Sequence, residues 1–259
     1  MAFKTRCYGM SDVGRARQQN EDNYIFVPNQ GLYIVADGMG GHASGKLASA
    51  LAVRHITDFV CVQSKSPDFE LPHQKEDDAT DDDAHLLTCA IRHANERIYI
   101  EACKDPSHEG MGTTVVAVRD LGDERLVLAH AGDSRIYRFR NATLSQVTDD
   151  HSLLNHLLKT GKLKQEEADS FPNKNVILRA LGLKDDVTVE TSVVSKRGGD
   201  VFLLCSDGLT DLVEDWVIAE VFDDGTDDLK KVCTTLIDLA NKAGGKDNIT
   251  VMILVIEES

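Results

Sequence analysis

Five aspartates of the sequence stand directly beside apolar segments that have the composition of β-strands. Asp37, Asp133 and Asp207 follow such segments, whereas Asp22 and Asp247 come just before them. Carboxylates at strand ends, next to glycines, point out of a rigid scaffold at one edge. Hard divalent cations prefer oxygen ligands of this kind. The spacing therefore indicates a centre for Mg²⁺ or Mn²⁺.

The first two of these acids flank a predicted hairpin. Apolar runs over residues 24–27 and 32–36 are separated by a four-residue loop that contains proline and glycine. If the inner ends of the two runs pair, Asp22 lies opposite Asp37, with Cβ atoms about 5 Å apart. Two carboxylates at that distance repel each other unless a cation lies between them.

The remaining elements predict how the other acids reach the same edge. Helical spacing covers residues 44–60, 84–104, 153–161, 165–169, 214–222 and 229–243. Strand-like runs cover residues 113–119, 125–131, 135–140, 201–206 and 249–256. Because strands come in groups rather than alternating with helices, the order favours antiparallel sheets with helices outside. Asp247 can join Asp37 and Asp207 only if the strand after it runs antiparallel to the strands before them.

Two further signals lie close to the first aspartates. The glycines that follow Asp37 allow close backbone approach, so a main-chain carbonyl could serve as a ligand. By itself, however, an Asp-Gly pair is also a common turn. Arg17 offers a planar fork that suits two phosphate oxygens, although a single arginine, taken alone, is more typical of a plain surface residue.

Charge and composition exclude several classes of protein. The chain has 259 residues and a formal charge of −15, which argues against nucleic-acid binding. An acidic run, Glu76–Asp83, lies within a predicted surface loop over 64–83; it is either a solvated loop or a docking surface for a basic partner. Neither a membrane span nor a signal peptide is visible, and six scattered cysteines indicate reduced, buried thiols. We therefore expect a cytoplasmic protein.

Taken in order, the motifs resemble the protein phosphatase 2C (PPM) family in its compact bacterial form. Seven blocks span residues 11 to 250 in the order of that family. They are Ser11-Asp12-Val13-Gly14 with Arg17-Gln18-Gln19-Asn20-Glu21-Asp22, Asp37-Gly38-Met39-Gly40-Gly41-His42, Met111-Gly112-Thr113-Thr114, Ala131-Gly132-Asp133-Ser134-Arg135, Asp149-Asp150-His151-Ser152, Ser206-Asp207-Gly208-Leu209 and Gly245-Lys246-Asp247-Asn248.

The resemblance implies a fold and a role for each matching residue. It implies a single α+β domain over 1–259, a four-layer α/β/β/α sandwich of two antiparallel sheets flanked by helices, with a flap over 150–175. It also implies two tightly bound Mn²⁺ or Mg²⁺ ions and a weaker third ion. The implied set is Asp37 bridging two ions, the Gly38 carbonyl on one, Asp207 and Asp247 on the other, Asp22 with Glu21 at the outer edge through water, Asp133 on the third ion, and Arg17 on the substrate phosphate.

One position departs from the animal branch of the family. There a histidine follows the Asp-Gly pair and is proposed as the general acid, whereas Met39 occupies that place here. His42 could substitute, or metal-bound water could protonate the leaving group. His42 could equally cap the helix that begins near Ser44.

The activity implied by the resemblance is hydrolysis of phosphoserine and phosphothreonine in proteins. A hydroxide that bridges the two ions attacks phosphorus in line, without a phosphoenzyme intermediate. A small phosphoester is the alternative substrate, and a binding module that has kept the fold is the alternative function. The partners expected are phosphorylated proteins and a cognate serine/threonine kinase, with no nucleic acid and no membrane, and the protein is expected to be a monomer.

Overall fold

Six α-helices lie outside the sheets in the part of the chain that the structure describes. This structure is a computed structural model, and it describes residues 3–40, 44–63, 81–168, 171–173 and 176–258. The helices are α1 Ser44–Gln63, α2 Asp82–Lys104, α3 Leu153–Lys159, α4 Asp207–Thr210, α5 Asp215–Asp223 and α6 Leu229–Lys242. None of these helices combines the length and the hydrophobicity needed to cross a membrane.

The strands form two five-stranded antiparallel sheets and one short pair. Their bounds are β1 Phe3–Asp12, β2 Asn23–Val27, β3 Leu32–Ala36, β4 Gly38–Met39, β5 Gly112–Thr113, β6 Val115–Asp120, β7 Arg125–Ala131, β8 Arg135–Arg140, β9 Thr143–Gln146, β10 Glu190–Ser195, β11 Val201–Cys205 and β12 Ile249–Glu258. One sheet has the order β1-β12-β11-β8-β9, the other has the order β10-β7-β6-β3-β2, and β4 pairs with β5. Every pairing is antiparallel, as the element order predicts.

Three apolar clusters lie between the layers. Side chains of β3 alternate between the two sides of their sheet: Leu32 and Ile34 face α1 and α2, whereas Tyr33 and Val35 face the other sheet. A third cluster lies between the sheet of β11 and β12 and the helices α5 and α6. The four-layer α/β/β/α sandwich is thus confirmed, and each sheet is covered on both faces.

The predicted hairpin of β2 and β3 is confirmed in both loop and register. Val27 pairs with Leu32 and Asn23 pairs with Ala36. Residues Pro28–Gln30 form a 3₁₀ turn that ends at Gly31. Gly31 has φ +60°, and a Cβ atom there would lie 2.2 Å from a backbone oxygen, so the turn requires glycine.

The acidic loop predicted over 64–83 is too long at its C-terminal end. Asp81 is the N-cap of α2 and accepts hydrogen bonds from the backbone N–H groups of Asp83 and Ala84. Asp82 and Asp83 lie in the first turn, where negative charge complements the helix dipole. Residues 64–80 lie outside the described residues.

The cysteines are all free thiols, but they are less uniformly buried than predicted. Three are buried, whereas Cys7 and Cys61 are partly exposed and Cys103 is exposed. Cys103 lies on the outer face of α2 near its end, which the local sequence does not distinguish from a buried helical position.

Candidate metal centre

Five predicted carboxylates converge at one end of the two sheets. Asp37 follows β3, and Asp22 lies across from it at the start of β2, one position beyond the last pair of the hairpin. Asp207 begins α4 directly after β11, and Asp247 comes just before the antiparallel β12. Asp133 lies in the turn between β7 and β8. The antiparallel placement of β12 thus brings Asp247 to the same edge, as predicted.

The pKa values of these groups show that burial and neighbouring negative charges oppose their ionisation. Burial raises the pKa of Asp37 well above its usual range, and the charges of Asp22, Asp207, Asp133 and Asp247 raise it further. Burial also raises the pKa of Asp207 to about 8, with additional contributions from Asp133 and other neighbouring acids. Protein groups alone therefore do not balance the negative charge of this cluster.

Orphaned oxygen atoms show what kind of ligand would fit. Oδ1 of Asp22, Oδ1 of Asp133 and Oδ1 of Asp207 are buried and have no hydrogen-bond partner. Buried acceptors in native proteins are almost always paired. An ionised carboxylate can only accept, so its missing partner must be a donor or a cation. Several such oxygens at one place suit a hard divalent cation.

Asp22 is oriented by residues of the opposite sheet. Its Oδ2 accepts hydrogen bonds from Oγ of Ser206 at 2.8 Å and from Oγ1 of Thr250 at 2.6 Å. These bonds oppose the effect of burial, which nevertheless raises the pKa of Asp22 to about 6. The two hydroxyls fix one oxygen and leave Oδ1 for the centre. The sequence did not predict these two hydroxyl contacts, because nothing in the local sequence relates Ser206 or Thr250 to Asp22.

The backbone of Asp37 is held on both sides by two threonines. Its carbonyl accepts from the backbone N–H of Thr114 and from Oγ1 of Thr113, both at 2.8 Å, and its own N–H donates to Oγ1 of Thr114 at 3.2 Å. Next to it, a Cβ atom on Gly38 would lie 2.1 Å from the carbonyl oxygen of Gly45. This contact explains why the turn needs glycine after the aspartate.

Asn248 connects the loop that carries Arg17 to the strand that follows Asp247. Its Oδ1 accepts from the N–H of Glu21, and its Nδ2 donates to the carbonyls of Val13 and Gln19. All three of these hydrogen bonds are directed at one loop. Asn248 therefore positions that loop, a role that its place in a Lys-Asp-Asn block does not disclose.

Arg17 lies at the exposed rim of the cluster. Its side chain is 54% exposed, and Nη2 lies 2.6 Å from Oδ2 of Asp247. The hydrogen bond to Asp247 is the main reason why the pKa of Arg17 is raised. The structure thus brings Arg17 to the predicted site, paired there with a carboxylate. His42 lies outside the described residues.

A second group with metal-ligand chemistry lies behind Asp133. In the described part of the chain it consists of His130, His151 and Glu190. The imidazole of His151, however, accepts a hydrogen bond from the N–H of Gly132 at Nδ1, and its Nε2 lies 3.1 Å from the Arg179 guanidinium. A cation at Nε2 would meet that positive charge. This group therefore reads as a hydrogen-bonded cluster and not as an ion site.

Comparison with known proteins gives consistent matches. A sequence model described as protein phosphatase 2C matches residues 14–247. The serine/threonine phosphatase stp of Listeria welshimeri is 39% identical over 250 residues, which cover 94% of this chain and 93% of the relative. The protein phosphatase PhpP of Streptococcus pneumoniae is 35% identical, with 96% of each chain covered.

Solved structures agree with these sequence matches. The serine/threonine phosphatase PstP/Ppp of Mycobacterium tuberculosis superposes with a TM-score of 0.84 at 35% identity, covering 98% of this chain and 99% of that chain. The catalytic domain of PstP in complex with two manganese ions superposes with a TM-score of 0.81 at 33% identity, covering 99% of this chain and 100% of that chain.

Proposed function

The chain belongs to the protein phosphatase 2C family and is a protein serine/threonine phosphatase, and we propose that it hydrolyses phosphoserine and phosphothreonine directly, without a phosphoenzyme. The observation that carries this mechanism is the cluster of buried, unpartnered carboxylate oxygens beside an exposed arginine. When bound, two divalent ions supply an activated water as the nucleophile and neutralise charge on the phosphoryl group.

We assign the ligands according to their place in the cluster. Asp37, whose pKa is raised by the charges of the other four aspartates, would be shared by two ions, and the Gly38 carbonyl would complete the first. Asp207 and Asp247 would hold the second ion. Asp22 would act at the outer edge, and Asp133, which also faces Asp150, would hold a weaker third ion. Support comes from the orphaned oxygens and from the two manganese ions of the PstP complex.

Arg17 is the residue that binds the substrate phosphate in this proposal. It is exposed and bonded to a single carboxylate, so a phosphate can displace Asp247 from its fork. Asp247, no longer paired with Arg17, would then be available as an ion ligand. The proton for the departing serine or threonine oxygen comes from His42 or from water, and these two sources remain alternatives.

Phosphate release from a phosphothreonine peptide tests the proposal. With Mn²⁺ present we expect turnover by the wild type, and loss of at least 100-fold for Asp37→Asn, because the neutral amide no longer offers a charged bridge. Turnover of an aryl phosphate with no turnover of the peptide would favour a small phosphoester as substrate. If neither the wild type nor Asp37→Asn released phosphate from any substrate, the protein would be a binding module and not an enzyme.

The remaining expectations concern the partner and the assembly. We propose a cognate serine/threonine kinase whose products are the substrates, and a monomer in the cytoplasm. Size-exclusion chromatography with light scattering checks the monomer against the chain mass of 28.4 kDa. The flap over 150–175 remains a prediction. Its described part contains α3.

A further inference from the structure

One block of the sequence has no place in the proposed chemistry. Residues Asp149 to Ser152 match the family in order, yet none of them is assigned as an ion ligand or as a phosphate-binding residue. They lie between β9 and α3, at the start of the predicted flap. The contacts of His151 show what this block does.

The backbone N–H and the carbonyl of Gly132 are both hydrogen-bonded to His151. The N–H of His151 donates to the Gly132 carbonyl at 2.9 Å, and Nδ1 of the imidazole accepts from the Gly132 N–H at 3.2 Å. Gly132 directly precedes Asp133. Its φ is +122°, and a Cβ atom there would lie 2.5 Å from Thr114, so no other residue fits the turn.

The imidazole is fixed in the form that this contact requires. His130 stacks on it with 4.4 Å between ring centroids and an interplanar angle of 15°. Because Nδ1 accepts from Gly132, the neutral ring carries its hydrogen on Nε2, which donates a hydrogen bond to Glu190 at 3.2 Å. Burial is the main cause that lowers the pKa of His151 to about 4, with a further contribution from His130. The ring is therefore neutral at pH 7 and Nδ1 is free to accept.

The same residue also fixes the start of α3. The His151 carbonyl accepts from the N–H of Leu178 at 2.7 Å, and Leu153, the first residue of α3, donates to Val176 at 2.8 Å. The next residue, Ser152, caps α3 through its hydroxyl. The helix itself buries none of its residues. Contacts with residues 149–152 therefore contribute to its position, and among them are the bond from Asn155 to the Asp150 carbonyl and the attachment at His151.

We propose that His151 is a positioning residue that joins α3 to the turn of Asp133, so that the flap and this carboxylate are held as one unit. The imidazole acts through Gly132 and touches neither substrate nor reacting atoms. The inference rests on the proposed function insofar as Asp133 and the flap serve catalysis, whereas the mechanical link stands on the hydrogen bonds alone.

Three substitutions of His151 separate the link from a general loss of packing. His151→Asn places an amide oxygen at the position of Nδ1 and can still accept from Gly132. His151→Gln places its amide at the position of Nε2 and keeps only the bond to Glu190. His151→Ala removes both. The asparagine and glutamine variants lose a similar amount of packing around the ring. The Tm of each variant is measured, so that the comparison takes a general loss of stability into account.

Hydrogen exchange in the EDTA-treated protein is the first measurement. For His151→Ala and His151→Gln we expect exchange at least tenfold faster at Gly132 and across residues 153–159, with recovery to within about threefold of wild type in His151→Asn, because a tenfold change corresponds to one net hydrogen bond. Equal exchange in the asparagine and glutamine variants, or unchanged exchange at Gly132 in His151→Ala, would overturn the proposal.

Kinetics with Mn²⁺ and a phosphothreonine peptide are the second measurement. We expect KM to rise about tenfold in His151→Gln with a smaller change in kcat, and His151→Asn to restore KM. A fall of kcat alone, equal in both variants, counts against the link. The exchange measurement does not require turnover, so an inactive wild type with the expected exchange pattern would contradict the proposed function and support the link.

Discussion

At the scale of the residue, the candidate centre consists of side chains whose burial opposes their charge. Asp207 shows this best, because burial and three neighbouring acids raise its pKa to about 8. A carboxyl group with such a pKa binds a proton at pH 7 unless a cation takes its place. Ion binding must therefore release protons, and the pH of the solution sets how readily an ion binds.

This linkage predicts how stability depends on pH after treatment with EDTA. The pKa values of Asp22 and Asp133 are about 6 and that of Asp207 is about 8, against an ordinary value of 3.8. The three carboxyls therefore keep protons in the folded state that the unfolded state releases. Below about pH 6.5 the buried His130 and His151, whose pKa values are lowered, act in the opposite direction. Above that pH the carboxyls dominate, so the free energy of unfolding falls as the pH rises from about 6.5 to about 8.

Asp207→Asn isolates one part of that effect. At pH 8 with EDTA we expect its Tm to exceed that of wild type by roughly 5 °C, corresponding to about 2 kcal/mol, because the amide has no charge to bury. Addition of Mn²⁺ should reverse the order. Asp238→Asn, at an exposed position of α6, is the control. A wild type whose Tm rises between about pH 7 and about pH 8 with EDTA would contradict the linkage.

Arg17 is the second residue whose role can be measured. Arg17→Ala should raise KM for a phosphothreonine peptide at least tenfold, since hydrogen bonds to charged groups contribute roughly 1.5–3 kcal/mol. Arg17→Lys should recover part of this loss, because an ammonium keeps the charge but not the planar fork. Arg15→Ala, two residues earlier and exposed, is the matched control. A large fall in kcat with an unchanged KM would assign Arg17 a different role.

At the scale of the element, α2 begins with contacts that reach the adjacent sheet. Asp81 caps the helix and lies 3.3 Å from Arg125 at the start of β7, and Asp83 lies 3.3 Å from Arg119 in β6. Two acids of the acidic run thus dock the helix on the sheet beneath it.

Removal of the cap tests this attachment. Asp81→Ala should lower the free energy of unfolding by about 1 kcal/mol, mainly through the two backbone N–H groups left without an acceptor. Asp82→Ala, at the exposed position beside it, should cost less than about 0.5 kcal/mol. Chemical denaturation of both variants provides the comparison, and equal losses would mean that charge, not capping, sets the start of α2.

Elements whose signals are local could be predicted from the sequence, and elements that depend on distant partners could not. The β2–β3 hairpin follows from its own turn, and the long helices follow from their own periodicity. β1, β9 and β10 were not predicted. β1 pairs with β12, some 240 positions away, and β10 exposes much of its surface, which weakens its apolar pattern.

The same division applies to the candidate site. The acids and Arg17 are visible in the sequence, because their types and their positions at strand ends carry the signal. Ser206 and Thr250 are not visible in the sequence as site residues. Their hydroxyls reach Asp22 only when one sheet packs on the other. The local sequence also could not indicate that His151 accepts a hydrogen bond from Gly132, which lies 19 positions earlier.

At the scale of the whole molecule, a buried ion pair closes the end of the sandwich opposite the carboxylates. Lys196 is fully buried and bonded to Asp120 at the end of β6. The other oxygen of Asp120 accepts from Thr5 of β1, which belongs to the opposite sheet. One carboxylate thus ties the two sheets together.

Breaking this pair should be more harmful than replacing it. Asp120→Ala leaves an uncompensated buried ammonium, and we expect a loss of about 3–5 kcal/mol of stability. The double variant Asp120→Leu with Lys196→Met should recover most of that loss, because no charge stays buried. Thermal denaturation of both measures the difference. A double variant as unstable as the single one would show that packing around Thr5 matters more than charge.

The pairing of β1 has a consequence for how the molecule is made. β1 lies at the edge of its sheet, and its one neighbour there is β12. A ribosome synthesises at roughly 5–20 residues per second, so the first strand waits on the order of 10–50 s for its partner to emerge. Asp247 arrives equally late. The nascent chain therefore has no complete ion site until β12 has emerged, and we expect no activity from shorter nascent chains.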